Sequence, residues 1–218
     1  AAFGMLVRDA DGRRVGQTQV PRTRIPHGAR PLRLTRAPRG AGAVSSASVG
    51  RAYAGRFSDL RATGTAASRA VRFRVSHRFT RDWVQTSWVA WRRAGAGRAR
   101  LSADVLFPSW GRDDARVTAV LRDGTSVTVG SRRIPLASVR YLWVRGERSG
   151  YVVVPATRPR GATIHALRTR PQSSAPRPGP TAAIQLARKS RFSRAALTVR
   201  LTPVLNEQEA AAAAARLR

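Results

Sequence analysis

The chain's 218 residues carry 41 Lys+Arg against 11 Asp+Glu, a formal net charge of +30, and Lys189 is the only lysine. A guanidinium field of this density narrows the partner class to polyanions: nucleic acid, acidic polysaccharide, anionic lipid or an acidic protein. The absence of cysteine excludes a disulfide framework and a thiolate metal site, and no apolar run approaches the ~20 residues of a membrane helix.

At 42% hydrophobic residues the chain can bury a core. Arginine used in place of lysine, beside abundant Ala, Gly, Val and Pro, also fits GC-rich coding. That accounts for the choice of cation and less well for the scarcity of acids.

In chain order, Met5-Leu6-Val7, the Asp11-Gly12 turn, Val15 and Val20 predict a hairpin. Pro21 to Ala43 holds four prolines among basic residues and reads as a linker. The strand at Val71 to Phe79 places Val71, Phe73, Val75 and His77 on one face and Arg72, Arg74 and Arg78 on the other. With Thr80-Arg81-Asp82 as its loop, the next strand sets Phe79 against Trp83, Phe73 against Val89 and Val71 against Trp91. Arg74 then lies across from Trp88 on the polar face. Leu101, Ala103, Val105 and Phe107 continue the alternation, Pro108 is expected to end that strand, and Trp110 is expected at the tip of the following turn. Arg122-Asp123-Gly124 predicts a three-residue hairpin loop that pairs Ala119 with Val127. Tyr141 to Val154 forms a further hairpin around Gly146 to Gly150.

Pro171 to Pro180 reads as an irregular connection. Leu197, Val199 and Leu201 mark a strand stopped by Pro203. Asn206 and Glu209 form a capping box that opens a helix running to Leu217, with little apolar stripe and expected to sit loosely or fray. The whole reads as an all-β, antiparallel sandwich with a short C-terminal helix, a barrel being the alternative. Residues 1–43 are the hairpin and linker, 44–203 the sandwich and 204–218 the helix.

The candidate binding surface for a polyanion or glycan is Arg72, Arg74, Arg78 and Trp88, with Trp110 at a second edge. Guanidiniums around an indole combine stacking, cation–π contact and anion binding. A one-residue change in the loop turns Trp88 inward and leaves the arginines as a solvated strand face.

Catalytic signals are sparse. Asp104, Asp113, Asp114, Asp123 and Glu147 are scattered, and Asp113-Asp114 lack the further oxygen donors of a calcium site. His27, His77 and His165 have no metal-ligand spacing, so neither metal nor cofactor is expected. An eliminative lyase would need a cation to neutralise a uronate carboxylate and Tyr or His to move the proton; Tyr53, His77, Tyr141 and Tyr151 are the candidates.

Val-Ser-His-Arg-Phe at 75–79, Asp-Val-Leu-Phe-Pro-Ser-Trp-Gly at 104–111 and Ser-Gly-Tyr-Val-Val-Val-Pro at 149–155 carry a resemblance. The stretch from Val71 to Pro155 resembles the β-sandwich region that follows the helical catalytic domain in heparinase-like and alginate-lyase-like polysaccharide lyases. The resemblance implies a sandwich, an acidic-polysaccharide partner, a lyase-like parent protein and an extracellular or envelope location. It transfers no catalytic residue, since no helical toroid is present in this sequence. The competing expectations are a nonspecific nucleic-acid-binding protein and a structural sandwich whose charge is compositional.

Overall fold

Among the described residues, segments that alternate between apolar and polar become strands. The computed structural model describes residues 4–17, 33–36, 44–46, 51–53, 60–67, 70–79, 83–110, 115–146, 149–167 and 178–217. The strands are β1 (Gly4–Arg8), β2 (Arg14–Gln17), β3 (Arg33–Arg36), β4 (Val44–Ser46), β5 (Arg51–Tyr53), β6 (Leu60–Ala67), β7 (Val71–Phe79), β8 (Val84–Arg92) and β9 (Leu101–Trp110). They continue as β10 (Arg116–Leu121), β11 (Ser126–Thr128), β12 (Ile134–Pro135), β13 (Val139–Arg145), β14 (Gly150–Pro155), β15 (Thr163–Leu167), β16 (Pro178–Ser190) and β17 (Arg194–Val204). Helix α1 (Glu207–Arg216) is the one α-helix among the described residues.

Sheet I has the order β12-β15-β16-β9-β1-β2, sheet II the order β11-β10-β13-β14-β17-β8-β7-β6-β3, and β4 pairs with β5 apart from both. The pairings in both sheets are antiparallel. Met5, Val7, Leu101, Val105, Phe107 and Ile184 of sheet I meet Val71, Phe73, Trp88, Leu142, Val153 and Leu197 of sheet II in one core. The protein is therefore an antiparallel β-sandwich with a C-terminal helix.

Local turn chemistry sets the registers. Ala119 pairs with Val127, Gly124 takes φ 90°, and the Asp123 carboxylate accepts the Thr125 N–H at 2.9 Å. In the Tyr141–Val154 hairpin Trp143 faces Val152, and the Gly146 N–H donates to the Ser149 carbonyl at 2.8 Å.

Several expectations change. The N-terminal hairpin is not a segment outside the sandwich: β1 pairs with β9, and Met5 and Val7 are fully buried in the shared core. Val20 lies outside the described residues, as do Asp113, Asp114, Glu147 and His27. Within the expected linker, Arg33–Arg36 pairs with β6. Pro108 and Pro203 do not end their strands. The β8–β17 pairing reaches Leu201↔Val84, so Pro203 lies past that neighbour and pairs on the other side with Tyr151, while Pro108 pairs with Thr181. A proline is tolerated in a strand where no ladder bond is asked of its nitrogen.

Strand β16 begins at Pro178, inside the stretch read as irregular, and carries no alternation because Thr181 through Gln185 are all buried. Helix α1 is docked. Ala210, Ala213, Ala214 and Leu217 recur at helical spacing, and all four are buried against Tyr141, Trp143, Val152, Val154 and Val204 on the outer face of sheet II. Small side chains form the stripe and let the helix approach closely. Asn206 accepts the Glu209 N–H at 2.9 Å, and the Glu209 carboxylate accepts the Leu205 N–H at 2.8 Å.

Candidate functional site

The outer face of sheet II is covered by α1 over β13, β14 and the end of β17. It continues across β17, β8 and β7, and its residue identities follow from one register. β7 ends at Phe79 and β8 begins at Val84, so four residues, 80–83, separate the strands instead of the expected three. The pairing becomes Phe79↔Val84, Arg74↔Val89 and Val75↔Trp88. Arg72 and Arg74 keep their outward positions and Arg78 is exposed with them, while every residue of β8 exchanges faces.

Trp88 is consequently not a surface platform. It is 2% exposed and meets Phe107 edge-on, with ring centroids 6.1 Å apart at 86°. The outward side chains of β8 are Gln85, Ser87, Val89 and Trp91, with Trp83 just before the strand. Trp91 and Trp83 are the residues that the sequence reading missed. The alternation Thr86, Trp88, Ala90 against Trp83, Trp91 was visible, but nothing local chose which set faces the core. The observed choice puts one indole inside, leaves Trp91 half-buried on the polar face and sets Trp83 half-buried against the cluster under α1.

Rows across the sheet follow. Arg194, Trp91 and Arg72 are mutual neighbours on β17, β8 and β7, and the Arg72 guanidinium carbon lies 5.1 Å from the Trp91 ring centre. Arg200, Gln85 and Arg78 form a second row, roughly 20 Å along the strands by their ordinary rise. Arg78 and Arg200 approach the Trp83 ring at 6.0 and 5.6 Å, and Arg200 Nε donates to Gln85 Oε1 at 3.4 Å. Between the rows lie Arg74, Val89 and Ala196, then Ser76, Ser87 and Thr198, with the Ser87 and Thr198 hydroxyls 2.8 Å apart. Among the described residues, no carboxylate pairs with Arg72, Arg74 or Arg194. The face thus offers planar indoles flanked by guanidiniums and a small-residue trough between them. This arrangement stacks on flat or ring-shaped groups while pairing anions beside them.

Under α1 a related cluster is closed: Arg116 and Arg145 lie 5.8 and 5.9 Å from the ring centre of Trp143, which is 5% exposed. Trp110 is the last residue of β9, paired with Pro178, and not the tip of a turn. Backbone register places it in sheet I, away from the face of β7, β8 and β17.

Tyr151 and Tyr141, two of the proton-transfer candidates, lie on opposite faces of sheet II. Tyr151 packs in the sandwich core and donates its hydroxyl to the Pro108 carbonyl at 2.7 Å; burial pushes its pKa well above the usual phenol value. Tyr141 sits on the opposite face of sheet II under α1, with its pKa raised by burial. Tyr53 and His77 are placed on β5 and β7 by backbone alone.

A separate polar cluster lies on sheet I. Gln185 Nε2 donates to Asp104 Oδ1 at 3.0 Å, Arg133 donates to Gln185 Oε1 at 2.5 Å, and Arg8 stands 4.0 Å from Asp104. Burial raises the Asp104 pKa, partly offset by the Gln185 hydrogen bond, Arg8 and Arg133. His165 is pushed down by burial and then by Arg133, Arg8 and Arg188. Among the described residues, no group of three or more His, Cys, Asp or Glu could hold a metal ion, and no helix is long and apolar enough to cross a membrane.

No protein-family model matches the chain, and neither does any curated protein. Solved structures do. A heparinase III gene product with methylated lysines superposes with a TM-score of 0.48 at 10% identity, over 82% of this chain and 24% of that one. Heparan sulfate lyase HepC from Pedobacter heparinus gives 0.45 at 9% identity, over 81% and 24%. A further heparinase III gives 0.42 at 8%, over 82% and 24%. The chain resembles a β-sandwich region of heparan sulfate lyases. It spans about a quarter of the length of these lyases, and no residue role is carried over at such identity.

Proposed function

We propose that the chain is a β-sandwich module that binds acidic polysaccharide through the outer face of β7, β8 and β17, as part of a lyase-like protein of the extracellular space or cell envelope. The observation that carries this reading is the Arg72 guanidinium on Trp91 on the outer face, joined at the edge of the helix-covered patch by Arg78 and Arg200 on Trp83, a half-buried ring that packs against the cluster under α1. Each row joins a ring-stacking surface to fixed cations, which matches a polymer of saccharide rings bearing sulfate or carboxylate. Arg74 and Arg194 extend the cationic margin, and the hydroxyls of Ser87 and Thr198 offer donors and acceptors between the rows.

The test compares a heparin-derived oligosaccharide with single-stranded DNA of matched charge at physiological salt. Wild-type protein is expected to prefer the oligosaccharide. Trp91→Ala removes stacking worth about 1 kcal/mol, so glycan affinity should fall roughly fivefold without a change in salt dependence. Equal affinity for both polymers, with Trp91→Ala silent on each, would replace this reading with nonspecific charge binding.

A further inference from the structure

Beyond the last turn of α1, the outer face of sheet II opens into a pocket of about 460 Å³ framed by Leu217, Pro155 and the side chains of Arg122, Arg140, Arg158 and Arg200. Among the described residues, no acidic side chain lines it. Several elements converge here: Arg122 in the β10–β11 turn, Arg140 on β13, Arg158 after β14 and Arg200 on β17. Backbone contacts hold two of them, since Arg200 donates to the Leu217 carbonyl at 2.8 Å and Arg158 to the Val139 carbonyl at 3.4 Å. Arg140 Nε is buried and has no hydrogen-bond partner among the described residues. Burial and then the neighbouring Arg122 lower the Arg158 pKa, as expected where like charges stand close together. Such a cluster is unfavourable by itself and becomes favourable when an anion occupies its centre.

We propose that this pocket is a discrete site for one tetrahedral oxyanion, with the chemistry of sulfate or phosphate, presented either free or as an ester on a larger molecule. Four arginines from four elements line one pocket, so they suit an anion that carries several acceptor oxygens. The volume leaves room for the group that carries the ester. This inference does not depend on the stacking face across β7 and β8, although Arg200 borders both.

The experiment is calorimetric titration of inorganic sulfate into the full chain at low, constant ionic strength. One saturable event near one-to-one stoichiometry is expected. Arg122→Gln with Arg158→Gln should weaken it about tenfold or more, since charge-assisted bonds are lost. Arg98→Gln with Arg100→Gln removes the same charge from exposed positions outside the pocket and should change it less than about twofold. Absence of saturable binding overturns the site, and so does equal weakening by the two double variants, which would reveal only a diffuse field. Arg122 and Arg158 are exposed, and Arg122→Gln alone carries the same comparison should the double variant fail to fold. A second arm titrates heparin oligosaccharide with and without its sulfates. If the pocket variant loses the preference for sulfated chains, the ester is the source. If it keeps that preference while losing inorganic sulfate, the source is a free anion. Both results uphold the site.

Discussion

Trp88 and Trp91 differ by three positions and have opposite fates, and their substitution separates packing from binding. Trp88 fills the core against Phe107, so Trp88→Ala should cost ~3–5 kcal/mol in denaturant unfolding. Trp91→Ala, half-buried under Arg72, should cost clearly less while reducing glycan affinity. If Trp91→Ala proves the more destabilising of the two, the register of β8 is wrong. Asp104 gives a residue-scale prediction in pH. Its folded pKa is raised, so the folded state holds a proton that the unfolded chain releases, and stability falls as pH rises from about 3.9 towards the folded value. His165 acts oppositely on the pH axis. Its folded pKa is lowered, so stability is lost as pH falls from about 6.5 towards that lower value. Asp104→Asn keeps an acceptor for Gln185 Nε2 and abolishes the carboxylate's contribution. Its melting temperature should exceed wild type at pH 7 and converge on it near pH 4; a uniform offset at both would show that ionisation is not the cause.

At the scale of elements, the helix tests how a modest apolar stripe is recruited. Ala213 is buried against sheet II and Ala212 is exposed, although both lie in the same alanine run. Ala213→Leu should therefore overpack the interface at ~1–3 kcal/mol, whereas Ala212→Leu should be near neutral, as read by thermal unfolding. Asn206→Ala should cost about 1 kcal/mol by freeing the Glu209 N–H. Docking of α1 also explains why β14 reads as an unbroken apolar run. Tyr151 and Val153 face the sandwich core while Val152 and Val154 face the helix.

Across the whole molecule, a net charge of +30 makes polyanion binding strongly salt-dependent. The logarithm of heparin affinity should fall linearly with that of salt, and replacing Arg72 or Arg194 by Gln should reduce the slope by somewhat under one unit each. A slope insensitive to these residues would place the contacts elsewhere on the surface. The charge supplies attraction; in the proposed function the guanidinium–indole contacts are what would distinguish a saccharide ring from a bare phosphate chain.

Local chemistry was enough for a large part of this molecule. Alternation identified β7, β9, β10 and β17, Gly124 defined the loop that pairs Ala119 with Val127, and Asn206 with Glu209 located the helix start, because each signal lies within a few residues of its effect. Arg72, Arg74 and Arg78 were legible as an outward row for the same reason. Which face of β8 turns inward was not. A loop of three residues and one of four place opposite sets of side chains in the core, and the choice is made by Phe107 and the rest of sheet I accepting Trp88. The tolerance of Pro203 within β17 depends on where the neighbouring β8 begins. The burial of β16 without alternation, the docking of α1 through alanines and the convergence of four arginines near Leu217 likewise join residues remote in the chain. Sequence determines the period and sign of each surface; tertiary structure decides which surface remains outside, because burial is a property of pairs of elements and not of any one of them.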